Sequence, residues 1–198
     1  MSAFLGPIHY WMYEKILVQE ELVARIAAKA VQEGWLDSTA EFVAGESRPL
    51  EEIIDEANIH GWLSARIESV EKRYAGLVVG LVTGHEERMA DLKAIAYALG
   101  SGKAAAADST AGECYKRIED CTLDGMPCDG VNAVTDKSEE SFSWQQRFDV
   151  HGMYWKEAGG RGEDYYALRQ QLVAGILSAT DFVLTSSGQG KYCLCHKE

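Results

Sequence analysis

Thr122-Leu123-Asp124-Gly125-Met126-Pro127-Cys128-Asp129-Gly130 is the stretch whose reading divides this chain into two parts. Two Asp-Gly pairs and a proline read as consecutive tight turns, because glycine accepts the positive φ that such turns need and proline cannot continue a helix. Upstream the apolar residues recur every three or four positions; downstream they come in short runs separated by polar turns.

The upstream part, residues 1–121, reads as helix after helix. Pro7 suits a first turn, and Ile8, Met12, Ile16, Val23, Ala27 and Ala30 hold helical spacing until Gly34. A short helix is expected over Ser38–Ala44. Pro49 opens a long helical segment through Ile53, Ile59, Leu63, Ile67, Val70 and Tyr74 to Gly84, and a third runs from His85 to Leu99. Gly112–Cys121 predicts a further helix with Cys114, Ile118 and Cys121 on one side. Downstream, in residues 122–198, Val131–Thr135 and Phe142–Val150 favour a hairpin. A helix is expected over Glu163–Ala179, and strands over Phe182–Thr185 and Lys191–His196 flank a glycine turn. The fold class is α+β, an N-terminal helical bundle packed as one unit against a small C-terminal antiparallel β-β-α-β-β sheet.

The 198 residues carry 19 Lys+Arg against 31 Asp+Glu, a net charge of −12. The excess is spread over both parts, so no basic stripe offers itself to nucleic acid or to an anionic membrane. The longest apolar run, Ala75–Val82, is far short of the roughly 20 residues a bilayer span requires. The N-terminal sequence lacks the basic, apolar and small-residue segments of a leader, and five cysteines is an odd number, which together predict a reducing, cytoplasmic setting.

An internal repeat carries the first candidate site. Ile8-His9-Tyr10-Trp11-Met12 and Ile59-His60-Gly61-Trp62-Leu63 share Ile, His and Trp, and each histidine is followed by Ile seven and Glu eleven residues on. At 100° per residue, His9, Ile16 and Glu20 fall on one stripe, and His60, Ile67 and Glu71 on another. Packed antiparallel, the two helices would bring His9 level with Glu71 and His60 level with Glu20; packed parallel, the histidines would face each other. Glu56, one turn before His60, could reach that histidine in either case. Three readings follow from such stripes: hydrogen-bonded core histidines, a divalent transition metal (Zn, Fe or Mn) held by His9, His60, Glu20, Glu56 and Glu71, or a bis-histidine haem. The Glu-x-x-His signature of di-iron carboxylate bundles is absent.

Cys193-Leu194-Cys195-His196 forms a second candidate. On a strand the two thiols share one face and could hold a soft metal, with Cys128 and His151 as further ligands. The order of helix Glu163–Ala179, strand Phe182–Thr185, turn Gly188-Gln189-Gly190 and Lys191-Tyr192-Cys193 resembles the C-terminal end of 4-vinyl-reductase-type ligand-binding domains and of L-2-amino-thiazoline-4-carboxylate hydrolase-like proteins. The resemblance covers the last 75 residues or so. It implies a pocket for a small apolar or aromatic molecule, and in some members a zinc held with the help of the cysteine that Cys193 matches; Thr185 and Ser186 stand near where those members have another cysteine. The aromatic cluster Trp144, Phe148, Tyr154, Trp155, Tyr165 and Tyr166 is compatible with such a pocket, with Trp144, Tyr154, Trp155 and Tyr166 as the candidate lining, although a sheet packed on helices would need the same residues for its core.

Nucleotide-binding loops, Gly-x-Ser-x-Gly and His-Glu-x-x-His are absent, so no nucleophile can be paired with a base. The sequence therefore supports a cytoplasmic metal- or small-ligand-binding protein with a His/Glu polar core. Its alternatives are a small-molecule hydrolase or redox enzyme using the metal or the cysteines, and a ligand-free interaction module. A homodimer is compatible with each.

Overall fold

In the computed structural model, which describes residues 4–45 and 48–197, helix α1 (Pro7–Gln32) keeps the predicted periodicity: Met12, Ile16, Val23, Ile26, Ala27 and Ala30 are buried. Ile8, expected inside, is 46% exposed. Of the N-terminal segment read above for a leader, Met1–Ala3 lie outside the described residues. Ser38–Ala44 is a turn instead of a helix, closed by Phe42 and Val43 N–H groups donating to the Thr39 carbonyl.

The long helical segment after Pro49 is interrupted. A four-residue α2 (Leu50–Ile53) ends where the Asp55 carboxylate accepts the Ala57 N–H and starts a new turn. Asn58, accepting from the Gly61 N–H, then caps α3 (Ile59–Val82). Short polar side chains compete with the helix for backbone donors, which is why the break falls at Asp55 and Asn58. Helices α4 (Met89–Ser101) and α5 (Ala111–Cys121) complete this part, and the Thr110–Glu113 capping box opens α5. Cys114, Ile118 and Cys121 form the buried side of α5, as its spacing predicts.

The remainder is a four-stranded antiparallel sheet in the order β1-β2-β4-β3, from β1 (Asn132–Lys137), β2 (Phe142–Gln146), β3 (Phe182–Gly188) and β4 (Lys191–His196). Two helices, α6 (Gly152–Glu157) and α7 (Gly162–Ile176), lie between β2 and β3. The α+β class holds, with one helix more than expected. Six residues between Gly152 and the Gly159-Gly160 break are too few to show a helical stripe in sequence. The inner sheet face carries Phe142, Trp144, Phe182 and Leu194, and Tyr115 of α5 stacks on Phe142 at 4.2 Å.

Helix α7 joins the two parts. Gly100 of α4 and Gly175 of α7 meet the backbone of the opposite helix so closely that a β-carbon at either position would overlap it. Buried residues of both parts therefore form one connected core. No helix of the described residues is long and apolar enough to cross a membrane.

Candidate functional site

Helices α1 and α3 pack parallel, and the register matches equivalent positions of the repeat. The His9 and His60 rings lie 5.5 Å apart edge-on, Tyr13 meets Trp62, Gln19 meets Glu71 and Glu20 meets Arg73. The antiparallel alternative is thereby excluded. His9 is buried and His60 exposed. The His9 Nδ1 accepts the Gly6 N–H at 2.9 Å, taking the role that Glu or Gln plays at this position of a capping box. An accepting Nδ1 places the proton of the neutral ring on Nε2, so in this arrangement neither nitrogen presents a free lone pair. Burial, then the neighbouring His60, lowers the His9 pKa and keeps the ring neutral.

The carboxylates expected around these histidines lie elsewhere. Glu20 pairs with Arg73, which also donates to the Phe42 carbonyl at 2.6 Å. Glu56 is exposed on a 3-10 turn ahead of α3. Glu71 lies eleven residues beyond His60, about 16 Å along the same helix. Among the described residues no group of three or more His, Cys, Asp and Glu is arranged to hold a metal ion.

Glu71 instead belongs to a buried charge chain that the repeat did not reveal. It is 1% exposed, and its Oε1 accepts from Gln19 Nε2 at 2.9 Å and lies 3.1 Å from His151 Nδ1. The other ring nitrogen of His151 lies 3.5 Å from Asp124 Oδ1. Asp124 is clasped by both terminal nitrogens of Arg169 and accepts from Asn132 at 2.9 Å. Tyr165 lies flat on the His151 ring, with centroids 3.8 Å apart.

Local chemistry places each member. Gly125, with a φ of 67°, turns the chain directly after Asp124. The Asp149 Oδ1 accepts the backbone N–H groups of His151 and Gly152 and the Tyr166 hydroxyl, ending the extended segment after β2 and turning His151 inward. Strand β2 therefore stops at Gln146 although the sequence favours a strand to Val150. Tyr165 and Arg169 are one turn apart on α7 and face the same chain.

Burial by itself would discharge His151 and Asp124, but their neighbours hold both ionised. For His151, burial opposes the charge; the Glu71 and Asp124 carboxylates outweigh it and raise the pKa to about 9. Burial likewise works against the Asp124 anion, while Arg169 and then His151 hold it well below the usual carboxylate range. A histidine raised in the folded state stabilises fully below its unfolded pKa of about 6.5, and that contribution is lost as pH rises towards 9. The urea midpoint of the wild-type protein should accordingly fall between pH 6.5 and pH 9, and His151→Gln should flatten that slope. An unchanged slope in the variant would show that the chain carries no imidazolium.

One side of this chain backs onto a cleft. Glu71 and His151 lie on the wall of this cleft, of about 300 Å³, whose other walls include Ser64, Ile67, Met126, Asp129, Asp149, Val150, Met153 and Tyr154. The Glu71 Oε2 is buried and has no hydrogen-bond partner. Since Oε1 takes both Gln19 and His151, Oε2 is the polar atom that this carboxylate has left to offer.

The other sequence candidates separate. Tyr154 lines this cleft, and Tyr166 orients Asp149 beside it. Trp144 and Trp155 are core: Trp144 stacks on Tyr192 under the sheet, and Trp155 is wholly buried against Tyr74 and Tyr165. Cys193 and Cys195 share the outer sheet face, Cys193 beside an open groove lined by Ser143, Thr185 and Lys191. Neither of the proposed further ligands joins them: Cys128 is exposed beside Asp129, and His151 is inside the charge chain. Asp124, Arg169 and Gln19 were not legible as site residues; Asp149-x-His151 and the Tyr165/Arg169 spacing are the only local traces they left.

No protein-family model matches the chain, and no curated protein or solved structure matches it either.

Proposed function

We propose that the chain is a small-ligand-binding protein of the cytoplasm whose ligand occupies the cleft over Glu71 and His151. The observation that carries this reading is the partnerless Glu71 Oε2, buried within a residue that lines the cleft. A buried acceptor without a donor costs about 1–3 kcal/mol, and more when ionised, so such an atom is tolerated where something else supplies the donor. The rest of the chain holds Glu71 rigidly: Gln19 and His151 fix one oxygen, while Asp124 and Arg169 fix His151. A preorganised polar group on a mostly apolar wall is how small-molecule sites achieve orientation. The pocket that the resemblance to 4-vinyl-reductase-type domains implies falls in this reading at the junction of α3 with the C-terminal part. Five free cysteines are in keeping with a reducing compartment.

The test is calorimetric titration with four one-ring probes of similar size: benzamidine, benzylamine, benzamide and benzoate. At least one should bind saturably at one equivalent. Ser64→Trp, at an exposed position of α3 on the cleft wall, should reduce that binding tenfold or more without loss of thermal stability. Failure of all four to bind, or binding indifferent to Ser64→Trp, would overturn the reading.

A further inference from the structure

The charge on the cleft wall selects the ligand class, an inference that rests on the reading above. Three carboxylates line the cleft, Glu71, Asp129 and Asp149, against one basic side chain, His151. That imidazole has both nitrogens committed, one towards Glu71 at 3.1 Å and the other towards Asp124 at 3.5 Å. Arg169 is bidentate on Asp124 and does not reach the cleft wall. Lys15, the other buried cation near the chain, has its ammonium 4.3 Å over the Trp11 ring and is not part of that wall. Each nearby cation is therefore occupied, while the Glu71 Oε2, buried within a residue that is 1% exposed, is not.

We infer that the cleft takes an organic cation: a protonated amine or amidine on a small apolar or aromatic body. The nitrogen group would donate to Glu71 Oε2, replacing the hydrogen bond that this oxygen lacks, and its charge would balance the acidic wall. The body of the ligand would lie along Ile67, Met126, Val150 and Tyr154, where polarisable and aromatic side chains favour flat apolar groups. An anion would set acceptor against acceptor at Glu71, and a neutral amide, although its N–H can donate there, brings no charge to balance the acidic wall. A bare metal ion is the poorer occupant, because no three ligating side chains converge among the described residues.

Titration with the same probes separates this inference from the reading beneath it. Benzamidine and benzylamine should bind at least tenfold more tightly than benzamide and benzoate, and the preference should shrink as sodium chloride is raised. Glu71→Gln should abolish the preference. Should that variant fold poorly, Asp129→Asn at the exposed rim is expected to weaken benzamidine severalfold and leave benzamide unchanged. Equal or tighter binding of benzamide or benzoate, still blocked by Ser64→Trp, would overturn the cation class and leave the cleft as a binding site. Displacement of benzamidine by stoichiometric zinc or magnesium chloride would overturn it in favour of a metal ion.

Discussion

Arg169→Met should destabilise the protein by about 3–5 kcal/mol, the range for removing one partner of a buried ion pair and leaving the other charge uncompensated. The charge left behind is Asp124, whose carboxylate has only His151 and Asn132 once the guanidinium is gone. For a chain of this size that corresponds to a fall in Tm on the order of 10 °C. The loss belongs to the orphaned anion more than to the missing contact, so the double variant Asp124→Asn/Arg169→Met should recover a measurable part of it. Thermal denaturation of the two variants decides the matter. If the double variant is no better than the single one, Arg169 acts through its packing alone.

Gly175→Ala is the second large effect and runs against helix propensity. In an exposed helix interior this change stabilises by up to about 1 kcal/mol. At Gly175 a methyl group would overlap the Tyr97 carbonyl and the backbone at Gly100 and Ser101, none of which can move without parting α4 from α7. Overpacking of this kind costs about 1–3 kcal/mol and occasionally more, and a helix pair that joins the two parts lies at the upper end. Gly80→Ala in α3 is the control, since a β-carbon there meets nothing within 4 Å and the residue is exposed. It should stabilise by about 0.5–1 kcal/mol. Denaturant titration of both variants should therefore give shifts of opposite sign, and a gain at Gly175 would mean that the two helices are not in backbone contact.

The two buried histidines show how the same residue type is used in opposite ways. His9 is kept neutral because its Nδ1 serves as an acceptor for the Gly6 N–H and burial disfavours charge. His151 is kept charged because carboxylates stand at both its nitrogens. The stability contribution of His9 is present above its unfolded pKa and is lost as pH falls, whereas that of His151 is lost as pH rises. Their pH windows meet near 6.5, the His9 contribution being lost below it and that of His151 above it.

The features legible from local sequence are those encoded within a turn or two of chain. The stripe Met12, Ile16, Val23, Ala27, Ala30 made α1 a helix with one buried face, because residues three and four apart share a side. The turn segment 122–130 and the alternation in Lys191–His196 marked the change to a sheet in the same local way, and put Cys193 and Cys195 on one face. The repeat marked Glu71, His9 and His60 as positions on helical faces; His9 and Glu71 are buried, and His60 is exposed. Their partners were beyond its reach. Whether α1 and α3 run parallel or antiparallel depends on the path of the chain between them, so only the tertiary structure set His9 against His60 and removed Glu71 from both. The charge chain joins residues far apart in sequence: Glu71 and His151 are separated by 80 positions, and Asp124 and Arg169 by 45. A buried ion needs a counter-ion wherever in the chain one is available, and no periodicity records that choice. The cleft is the same kind of feature, since α3, the turn after Asp124 and the bend at Asp149 meet only when the core that holds them has formed.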